Sequence, residues 1–256
     1  AGDFLRVDSD SLGTFGCDDH NNIDVLNNNG GPLDVVYSGA YNNSYAPGTS
    51  SGGWHFGMSS AIDDAGEGSS GVAVTEFAFD ADNHPDVVVL NQYFTTAGLW
   101  AGNGMGAFSE IATIEGCAGV NGASGSRYAA AGDLDGEGSI DLVITCMQGN
   151  FAIVHGSADS TFAAPIEVLL PGAHEPMLVD IDGDADLDIV VTSTTQEAVM
   201  VYLVDGGVPD EPIELAMPGT PRGVAVGDLD EDGAMEIVVA VDGAAGSGVA
   251  IVRTDP

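Results

Sequence analysis

The chain has 256 residues and a formal net charge of −36, because 40 acidic residues face only four basic ones, all of them arginine. So acidic a chain excludes nucleic acid as a partner, since binding it requires a cationic surface, and excludes attraction to an anionic membrane for the same reason, unless calcium bridges the two surfaces. No apolar run reaches the roughly 20 residues that a membrane-spanning helix needs, so we predict no membrane insertion.

An acidic phrase recurs four times along the chain, and each copy lies between apolar runs typical of β-strands. The copies are FDADNHPDVVV from Phe79, GDLDGEGSIDLVI from Gly132, VDIDGDADLDIVV from Val179 and GDLDEDGAMEIVV from Gly227. Their first acidic residues are 53, 47 and 48 residues apart, and a fainter copy begins at Val25. A repeat of this length predicts a propeller or another array of small β units.

Three of the copies place oxygen donors on alternate residues of a short loop, and such donors suit Ca²⁺, which takes about 6–8 oxygen ligands. Numbered from the first acid, the predicted ligands are side chains at positions 1, 3, 5 and 9 and a backbone carbonyl at position 7, by analogy with the EF-hand loop. They are Asp133, Asp135, Glu137, Ser139 and Asp141; Asp180, Asp182, Asp184, Asp186 and Asp188; and Asp228, Asp230, Asp232, Ala234 and Glu236.

Position 6 of these loops is where the chain must turn sharply. Gly138 and Gly233 occupy it in two loops, and Ala185 occupies it in the third. If the backbone angle φ is positive there, Ala185 is expected to cost about 1 kcal/mol relative to glycine.

The two remaining loops carry fewer donors. The second loop of the chain is shortened by two residues, and its predicted ligands are Asp80, Asp82 and Asp86. The faint first copy has one formal charge, so it is either a weak site or an empty one, formed by Asn27, Asn29 and Asp34.

These loops resemble those of the FG-GAP/VCBS repeat propellers, a family that includes integrin α-subunit head repeats and several fungal and bacterial lectins. The resemblance covers almost the whole chain. It includes LWAGNGMGAF at Leu99–Phe108 and IVHGSADSTF at Ile153–Phe162, which match the family's third strand and the following turn. The resemblance implies a β-propeller with calcium in its acidic loops, but it does not identify a ligand, since one fold hosts many functions.

Divided by that pattern, residues 1–256 form a single all-β domain, a five-bladed propeller of four-stranded blades. The predicted blades cover approximately residues 15–70, 71–122, 123–172, 173–220, and 221–256 together with 1–10. In the first blade, the third strand is predicted near Trp54–Met58. The last blade has only three strands, and pairing Asp3–Val7 beside Gly248–Arg253 would close the ring and remove its open sheet edges. The alternative is part of a seven-bladed propeller.

In this layout, Cys117 and Cys146 lie on the same rim of the propeller, and Cys17 lies on that rim one or more blades away. We predict a Cys117–Cys146 disulfide in an oxidising compartment; the alternative is that all three cysteines are small buried apolar residues. Because the chain starts at Ala1 and weak calcium loops function where calcium is millimolar, we expect a processed protein that is secreted or held at the cell surface. A saline environment would screen its charge.

Two groups of residues are candidates for binding a ligand on the face opposite the acidic loops. Arg127, His174 and Arg222 each precede the first acid of their loop by six residues, so each enters the innermost strand near the axis. They either bind an anionic or polyhydroxylated ligand or pair with acids and join adjacent blades. The second group provides aromatic surfaces for a sugar, on a predicted irregular loop at Ser38–Trp54 and on the matching turn of blade two. It consists of Tyr41, Tyr45, Trp54 and Tyr93.

Three functions are compatible with this sequence. We prefer a calcium-stabilised carbohydrate-binding or adhesion module whose partner is a glycan or a cell-surface protein. The second is a structural or protein-interaction propeller of a cell-surface assembly. The third, a polysaccharide lyase or hydrolase, has little support, because the five histidines are scattered and no catalytic residue can be selected among so many acids.

Overall fold

The computed structural model describes residues 23–26, 34–38, 43–46, 48–49, 55–56, 60–61, 69–75, 84–91, 96–117, 125–147, 149–158, 161–243 and 246–253. Up to residue 75 this description concerns the backbone alone. Every long regular element in this part of the chain is a β-strand, which confirms the all-β prediction. The same residues include no helix with the length and hydropathy needed to cross a bilayer.

The strands are numbered in chain order. They are β1 (Ile23–Leu26), β2 (Asp34–Ser38), β3 (Asn43–Ala46), β4 (Gly48–Thr49), β5 (His55–Phe56), β6 (Ser60–Ala61), β7 (Ser69–Thr75), β8 (Asp86–Asn91), β9 (Thr96–Gly102), β10 (Phe108–Glu115), β11 (Ser126–Gly132), β12 (Asp141–Cys146), β13 (Asn150–Val154), β14 (Ile166–Leu169), β15 (Ala173–Val179), β16 (Asp188–Ser193), β17 (Ala198–Tyr202), β18 (Val204–Asp205), β19 (Val208–Pro209), β20 (Ile213–Ala216), β21 (Thr220–Gly227), β22 (Glu236–Gly243) and β23 (Gly246–Arg253).

The described strands form repeated antiparallel sheets in two compact units. The first unit, Ala1–Gln92 with Ala97–Ile114, contains the sheets β1-β2-β3-β6 and β7-β8-β9-β10 and the small hairpin β4-β5. The second unit, Tyr93–Thr96 with Glu115–Pro256, contains the sheets β11-β12-β13-β14 and β15-β16-β17-β20, the three-stranded sheet β21-β22-β23 and the hairpin β18-β19. Each large sheet lies within one predicted blade, as expected for a β-propeller. The number of blades and the closure of the ring stay predictions.

The first sheet differs from the prediction. Its third strand is β3, which pairs with β2 from Val35↔Ala46 to Ser38↔Asn43, whereas the segment predicted for that role contributes β5 to a separate hairpin. The Ser38–Trp54 stretch therefore contains two strands and is not the irregular loop that was predicted. Its polar residues carry no strand pattern of their own, and the pairing with the neighbouring strand decides the outcome. The closing segment Asp3–Val7 and Cys17 lie outside the described residues.

In the second unit, the central strands β12 and β16 are buried along their whole length. Apolar residues of the third and fourth sheets form one cluster, in which Ile189 and Val191 participate, and the opposite face of β16 contributes Val190 to a second cluster with the last sheet. The sheets of this unit thus pack face to face in chain order. Because both faces of β16 are covered, Ile189, Val190 and Val191 are apolar in succession and do not alternate with polar residues.

The predicted disulfide is confirmed. Cys117 and Cys146 are bonded within the second unit, with their Cα atoms 5.6 Å apart, and both side chains are buried. Cys146 ends β12, and Cys117 lies just after β10. The bond therefore fixes the chain where it enters the third sheet.

Replacing both bonded cysteines by serine is expected to lower the free energy of unfolding by about 3–4 kcal/mol. The bond closes a loop with a sequence separation of 29, and the chain entropy that such a loop removes from the unfolded state gives this magnitude. Denaturant unfolding of the double variant under oxidising conditions measures it. An unchanged midpoint would show that the bond does not constrain the unfolded chain, and wild-type protein in reductant is the control.

Candidate metal centres

The three fully acidic loops each join the first and second strands of a sheet in the second unit. Loop 3 (residues 133–141) joins β11 to β12, loop 4 (180–188) joins β15 to β16, and loop 5 (228–236) joins β21 to β22. All three have a left-handed backbone at position 6. The φ values are +85° at Gly138, +81° at Ala185 and +94° at Gly233. Ala185 therefore has the positive φ on which the predicted strain depended, and alanine occupies a conformation that favours glycine.

Position 4 is also left-handed, which the sequence analysis did not anticipate. The φ values there are +72° at Gly136, +83° at Gly183 and +61° at Glu231. With two left-handed residues in each loop, the chain turns twice within nine residues. The carboxylate of position 1 stabilises this path by accepting the backbone N–H of position 6. The N···O distances are 2.9 Å for Gly138 to Asp133, 3.1 Å for Ala185 to Asp180 and 3.0 Å for Gly233 to Asp228.

The acid at position 9 is the buried anchor of each loop. Its carboxylate accepts the N–H of position 2: Leu134 donates to Asp141 at 2.8 Å, Ile181 to Asp188 at 3.0 Å and Leu229 to Glu236 at 2.8 Å. In two loops its other oxygen accepts an N–H from beyond the third strand, from Gly156 to Asp141 at 2.8 Å and from Val204 to Asp188 at 3.0 Å. In loops 3 and 4, position 9 therefore connects the start of the loop, the second strand and the chain beyond the third strand.

Burial raises the pKa of the Asp188 carboxyl, against the opposing effect of the hydrogen bonds from Ile181 and Val204. The nearby charges of Asp182 and Asp184 raise this pKa further. A buried carboxylate near like charges is costly to keep ionised unless a cation compensates it.

Each loop gathers part of its predicted ligand set. Carboxylate oxygens of Asp180, Asp182 and Asp188 lie within 4.8 Å of one another, and so do those of Asp228, Asp230 and Glu236. Oxygens on opposite sides of one calcium ion are about 5 Å apart, given bonds of 2.3–2.6 Å, so both clusters have the size of a single calcium site. These are positions 1, 3 and 9.

The acid at position 5 lies outside these two clusters. Asp184 instead accepts the N–H of Asp186 at 2.9 Å, and Asp232 accepts the N–H of Ala234 at 2.9 Å. Both residues that donate these hydrogen bonds are at position 7, whose carbonyl is the further predicted ligand. The described geometry thus supports a core of three carboxylates in loops 4 and 5.

Loop 3 differs because a histidine enters its cluster. The grouped ligand atoms belong to Asp135, Asp141 and His155, whereas Asp133 and Glu137 are outside the group. In loop 5, Arg253 occupies a comparable place, and its Nη1 lies 2.6 Å from Asp230 Oδ2. The sequence analysis missed both residues. The signal that could have found them is their place in the sheet: Arg253 pairs with position 9 on the third strand, and His155 is the next residue after the third strand, opposite position 9.

Little of the shortened loop and the first loop lies within the described residues. Asp86 is completely buried and accepts the N–H of Gly102 at 3.0 Å, so it connects its loop to the end of β9, whereas Asp141 and Asp188 bond to the chain just beyond the third strand. His84 packs against the left-handed Gly104, as expected for a loop residue. Asp34 begins β2. The remaining predicted ligands, Asp80, Asp82, Asn27 and Asn29, lie outside the described residues.

The three basic residues predicted to lie near the axis, Arg127, His174 and Arg222, lie where the pairing register of the innermost strands shifts. The register shifts between Ser126 and Tyr128, between Ala173 and Pro176, and between Pro221 and Gly223. Arg127, His174 and Arg222 therefore each stand in a β-bulge, a device that redirects a side chain away from the regular sheet. The sequence predicted their equivalence but not the bulges.

These residues do not share one environment. Arg222 pairs with Asp242 of its own sheet at 3.1 Å, so the prediction that it joins adjacent blades is wrong for this residue. A hydrogen bond from the Ser247 hydroxyl, followed by one from Arg222, lowers the pKa of Asp242. Arg127 Nε is buried and makes no hydrogen bond, and no ion pair links Arg127 to an acid in the described part of the chain.

The third axial residue links two sheets by stacking. The His174 ring is buried and lies 4.5 Å from the ring of Tyr128 in the preceding sheet. The next residue, Glu175, has its pKa raised by burial, although a backbone hydrogen bond from Val224 opposes this. The innermost strands β11, β15 and β21 therefore contact one another through polar residues. Of the aromatic candidates, Tyr41, Trp54 and Tyr93 lie outside the described residues, and Tyr45 is described only as backbone in β3.

A family of sequence repeats and several solved structures resemble this chain. The FG-GAP-like repeat matches residues 79–144, 133–191 and 180–239, which together span more than half of the chain. No sequence among the curated proteins matches this chain. Loops 3, 4 and 5 fall within the matched residues, and so do the third and fourth sheets.

Several solved structures are similar in fold. BBS1N in complex with ARL6DN has a TM-score of 0.58 at 11% identity, with 91% of this chain covering 64% of that one. A lectin of Agrocybe aegerita that recognises non-reducing terminal N-acetylglucosamine has a TM-score of 0.58 at 16% identity, with coverages of 90% and 62%. The dihydro-heme d1 dehydrogenase NirN in complex with DHE has a TM-score of 0.51 at 14% identity, with coverages of 87% and 44%.

At these identities the likeness concerns the fold alone, and the chain spans less than two thirds of the length of each of these structures. The family assignment rests instead on the repeats and on the loops that they contain. The chain belongs to the FG-GAP-like repeat family of β-propellers.

Proposed function

We propose that this protein is a calcium-stabilised propeller module, secreted or exposed at a cell surface, that binds carbohydrate. The family and the fold are compatible with a carbohydrate-binding or interaction propeller, and one protein of similar fold is a lectin. The Cys117–Cys146 bond supports an oxidising compartment. A saline medium would screen the net charge of −36.

Calcium fits the residues of loops 4 and 5. The ion would be held by the carboxylates of positions 1, 3 and 9, which already lie within 4.8 Å of one another, with the carbonyl of position 7 completing the set. It would neutralise acids that otherwise repel one another in a small volume. Since position 9 is hydrogen-bonded to the loop and, in loop 4, to Val204 of β18, an ion there would stabilise the loop together with the chain that follows the third strand.

Arg127 is the observation that carries the ligand proposal. Its Nε is buried without a hydrogen bond, in a chain where 40 acids are available as partners, and a β-bulge sets its direction. An unsatisfied guanidinium nitrogen suits a carboxylate, a sulfate or a vicinal diol of a sugar. The adjacent Tyr128, stacked with His174, adds an aromatic face of the kind that packs against sugar rings.

The experiment is a glycan array that includes uronic acids and sulfated sugars, probed in millimolar calcium and again in chelator. We expect calcium-dependent binding of one sugar family, and loss of that binding in Arg127→Ala with an unchanged melting curve. Arg222→Ala is the matched control, because its guanidinium is already paired with Asp242 and is exposed. Equal losses in the two variants would contradict a specific site at Arg127.

A blank array with folded protein would favour the second candidate, a protein-interaction propeller. The observation behind it is that outer strands β14 and β20 expose apolar side chains, with Leu169 81% and Ile213 51% accessible. A lyase or hydrolase activity would appear in the same samples as turnover of a bound polysaccharide, and no catalytic residue is proposed.

A further inference from the structure

His155 gives loop 3 a ligand of a different chemical kind from those of the other loops. It follows β13, and since Leu142 pairs with Val154, the residue opposite position 9 is His155. By the same register, the residue opposite position 9 is Ala101 in the second sheet, Leu203 in the fourth and Arg253 in the last. Within these four described sheets, only the third therefore has a histidine opposite position 9.

The imidazole nitrogen faces two carboxylates without bonding to either. His155 Nδ1 lies 3.4 Å from Asp141 Oδ1 and 3.5 Å from Asp135 Oδ2, and it is buried with no hydrogen bond. These separations exceed an ordinary N–H···O hydrogen bond. They agree with two ligands on one tetrahedral ion, since bonds of about 2.0–2.2 Å place the ligand atoms about 3.3–3.6 Å apart.

The carboxylates retain the oxygen atoms that such an ion would need. Glu137 N–H donates to Oδ1 of Asp135, which leaves Oδ2 facing His155. Asp141 is completely buried, and its Oδ1 accepts the Gly156 N–H and keeps a second lone pair. In the same loop, Asp133 Oδ1 is a second buried polar atom that makes no hydrogen bond.

The neighbouring sheet encloses this group. The hairpin β18-β19 turns at Gly206 and Gly207, and a Cβ atom at Gly207 would lie 2.7 Å from both Asp135 Cβ and His155 Cε1. Only glycine permits so close an approach. The hairpin thus holds the imidazole with Nδ1 directed toward the carboxylates, and leaves the His155 side chain 19% exposed.

We propose that Asp135, Asp141 and His155, the His155 cluster, bind a divalent transition-metal ion such as Zn²⁺ in preference to Ca²⁺. Imidazole is a ligand for zinc and its neighbours, whereas calcium takes oxygen ligands. Arg253 shows that the residue at this position reaches its loop, since it pairs with Asp230 there. The inference refines the proposed function, because it assigns a different ion to one of the acidic loops.

The test measures zinc and calcium binding to the full chain by equilibrium dialysis, after metal removal and in about 1 mM Ca²⁺. Wild-type protein is expected to bind one Zn²⁺. In His155→Leu, the residue that the fourth sheet has at this position, zinc affinity should fall more than about 100-fold, since even the loss of a residue that merely orients a ligand costs about 10–100-fold. Asp182→Asn in loop 4 is the control and should keep the zinc.

X-ray absorption at the zinc edge of the wild-type complex is the second measurement, and it does not depend on a variant folding. One imidazole nitrogen among oxygen ligands is expected. Oxygen ligands alone, zinc affinity unchanged in His155→Leu, or an equal loss in Asp182→Asn would each overturn the proposal and leave His155 as a side chain packed beside two acids. If the protein binds calcium but binds no zinc that depends on His155, this inference alone is overturned. If the protein binds neither metal, the calcium proposal is overturned as well.

Discussion

Removing calcium from the purified protein is expected to lower its thermal midpoint by at least about 10 °C. One ion at a concentration 100 times its dissociation constant contributes about 2.7 kcal/mol, and 1 kcal/mol shifts the midpoint of a domain of this size by about 2–4 °C. Loops 4 and 5 each gather three acids within 4.8 Å, so two ions together contribute about 5.4 kcal/mol, or about 11–22 °C, and the mutual repulsion of the acids adds to the loss. Differential scanning calorimetry in calcium and in chelator measures the difference.

Two controls separate bound calcium from general screening of charge. Sodium chloride at matched ionic strength should restore only part of the midpoint, because salt screens exposed charges but does not occupy a site. Magnesium should also restore less, since it requires a smaller octahedral set and keeps its water. A melting curve that chelator leaves unchanged would show that the acidic loops fold without a cation, and the calcium proposal would then be abandoned.

The repeat period and the loop spacing were sufficient to predict the sheets that hold the candidate sites. The second to fourth predicted blades contain the four strands expected of each, and the fifth contains its three C-terminal strands, because apolar residues follow the acid that starts strands such as β12 and β16. The first blade was harder, since β3 is the polar segment Asn43–Ala46 and its pairing depends on a neighbouring strand. Local sequence pattern does not contain that information.

The sequence was sufficient to predict the loop residues of the candidate sites, but not the residues from other elements that contact those loops. Spacing within nine residues identified positions 1, 3 and 9, and it identified the left-handed Ala185. His155 and Arg253 were missed because they come from another strand, at a distance set by sheet register. The bulges at Arg127 and Arg222 were missed because a bulge depends on how two strands pair. Contacts between elements decide these features.

Asp188→Ala is expected to destabilise the protein in two separable parts. The side chain is 1% exposed and accepts the N–H groups of Ile181 and Val204, both at 3.0 Å. Leaving these two donors unsatisfied, one buried and one part-buried, costs about 1–3 kcal/mol each. Removing a carboxylate that burial and the nearby Asp182 and Asp184 make costly to ionise offsets part of this, so the free energy of unfolding should still fall in chelator, but by less than the about 2–6 kcal/mol of the two donors. In calcium the loss should be larger by about 2.7 kcal/mol, the contribution of one ion at 100 times its dissociation constant.

Asp182→Ala in the same loop isolates the calcium part. Asp182 is exposed and accepts only the N–H of Asp184 within the loop, at 3.2 Å, so its removal should have little effect in chelator and should cost stability only when calcium is present. Denaturant unfolding of both variants with and without calcium gives the four values required. Should Asp188→Ala and Asp182→Ala behave alike in chelator, position 9 would not be the structural anchor of its sheet. A deficit of Asp182→Ala that is equal in calcium and in chelator would instead show that position 3 supports the loop without binding an ion.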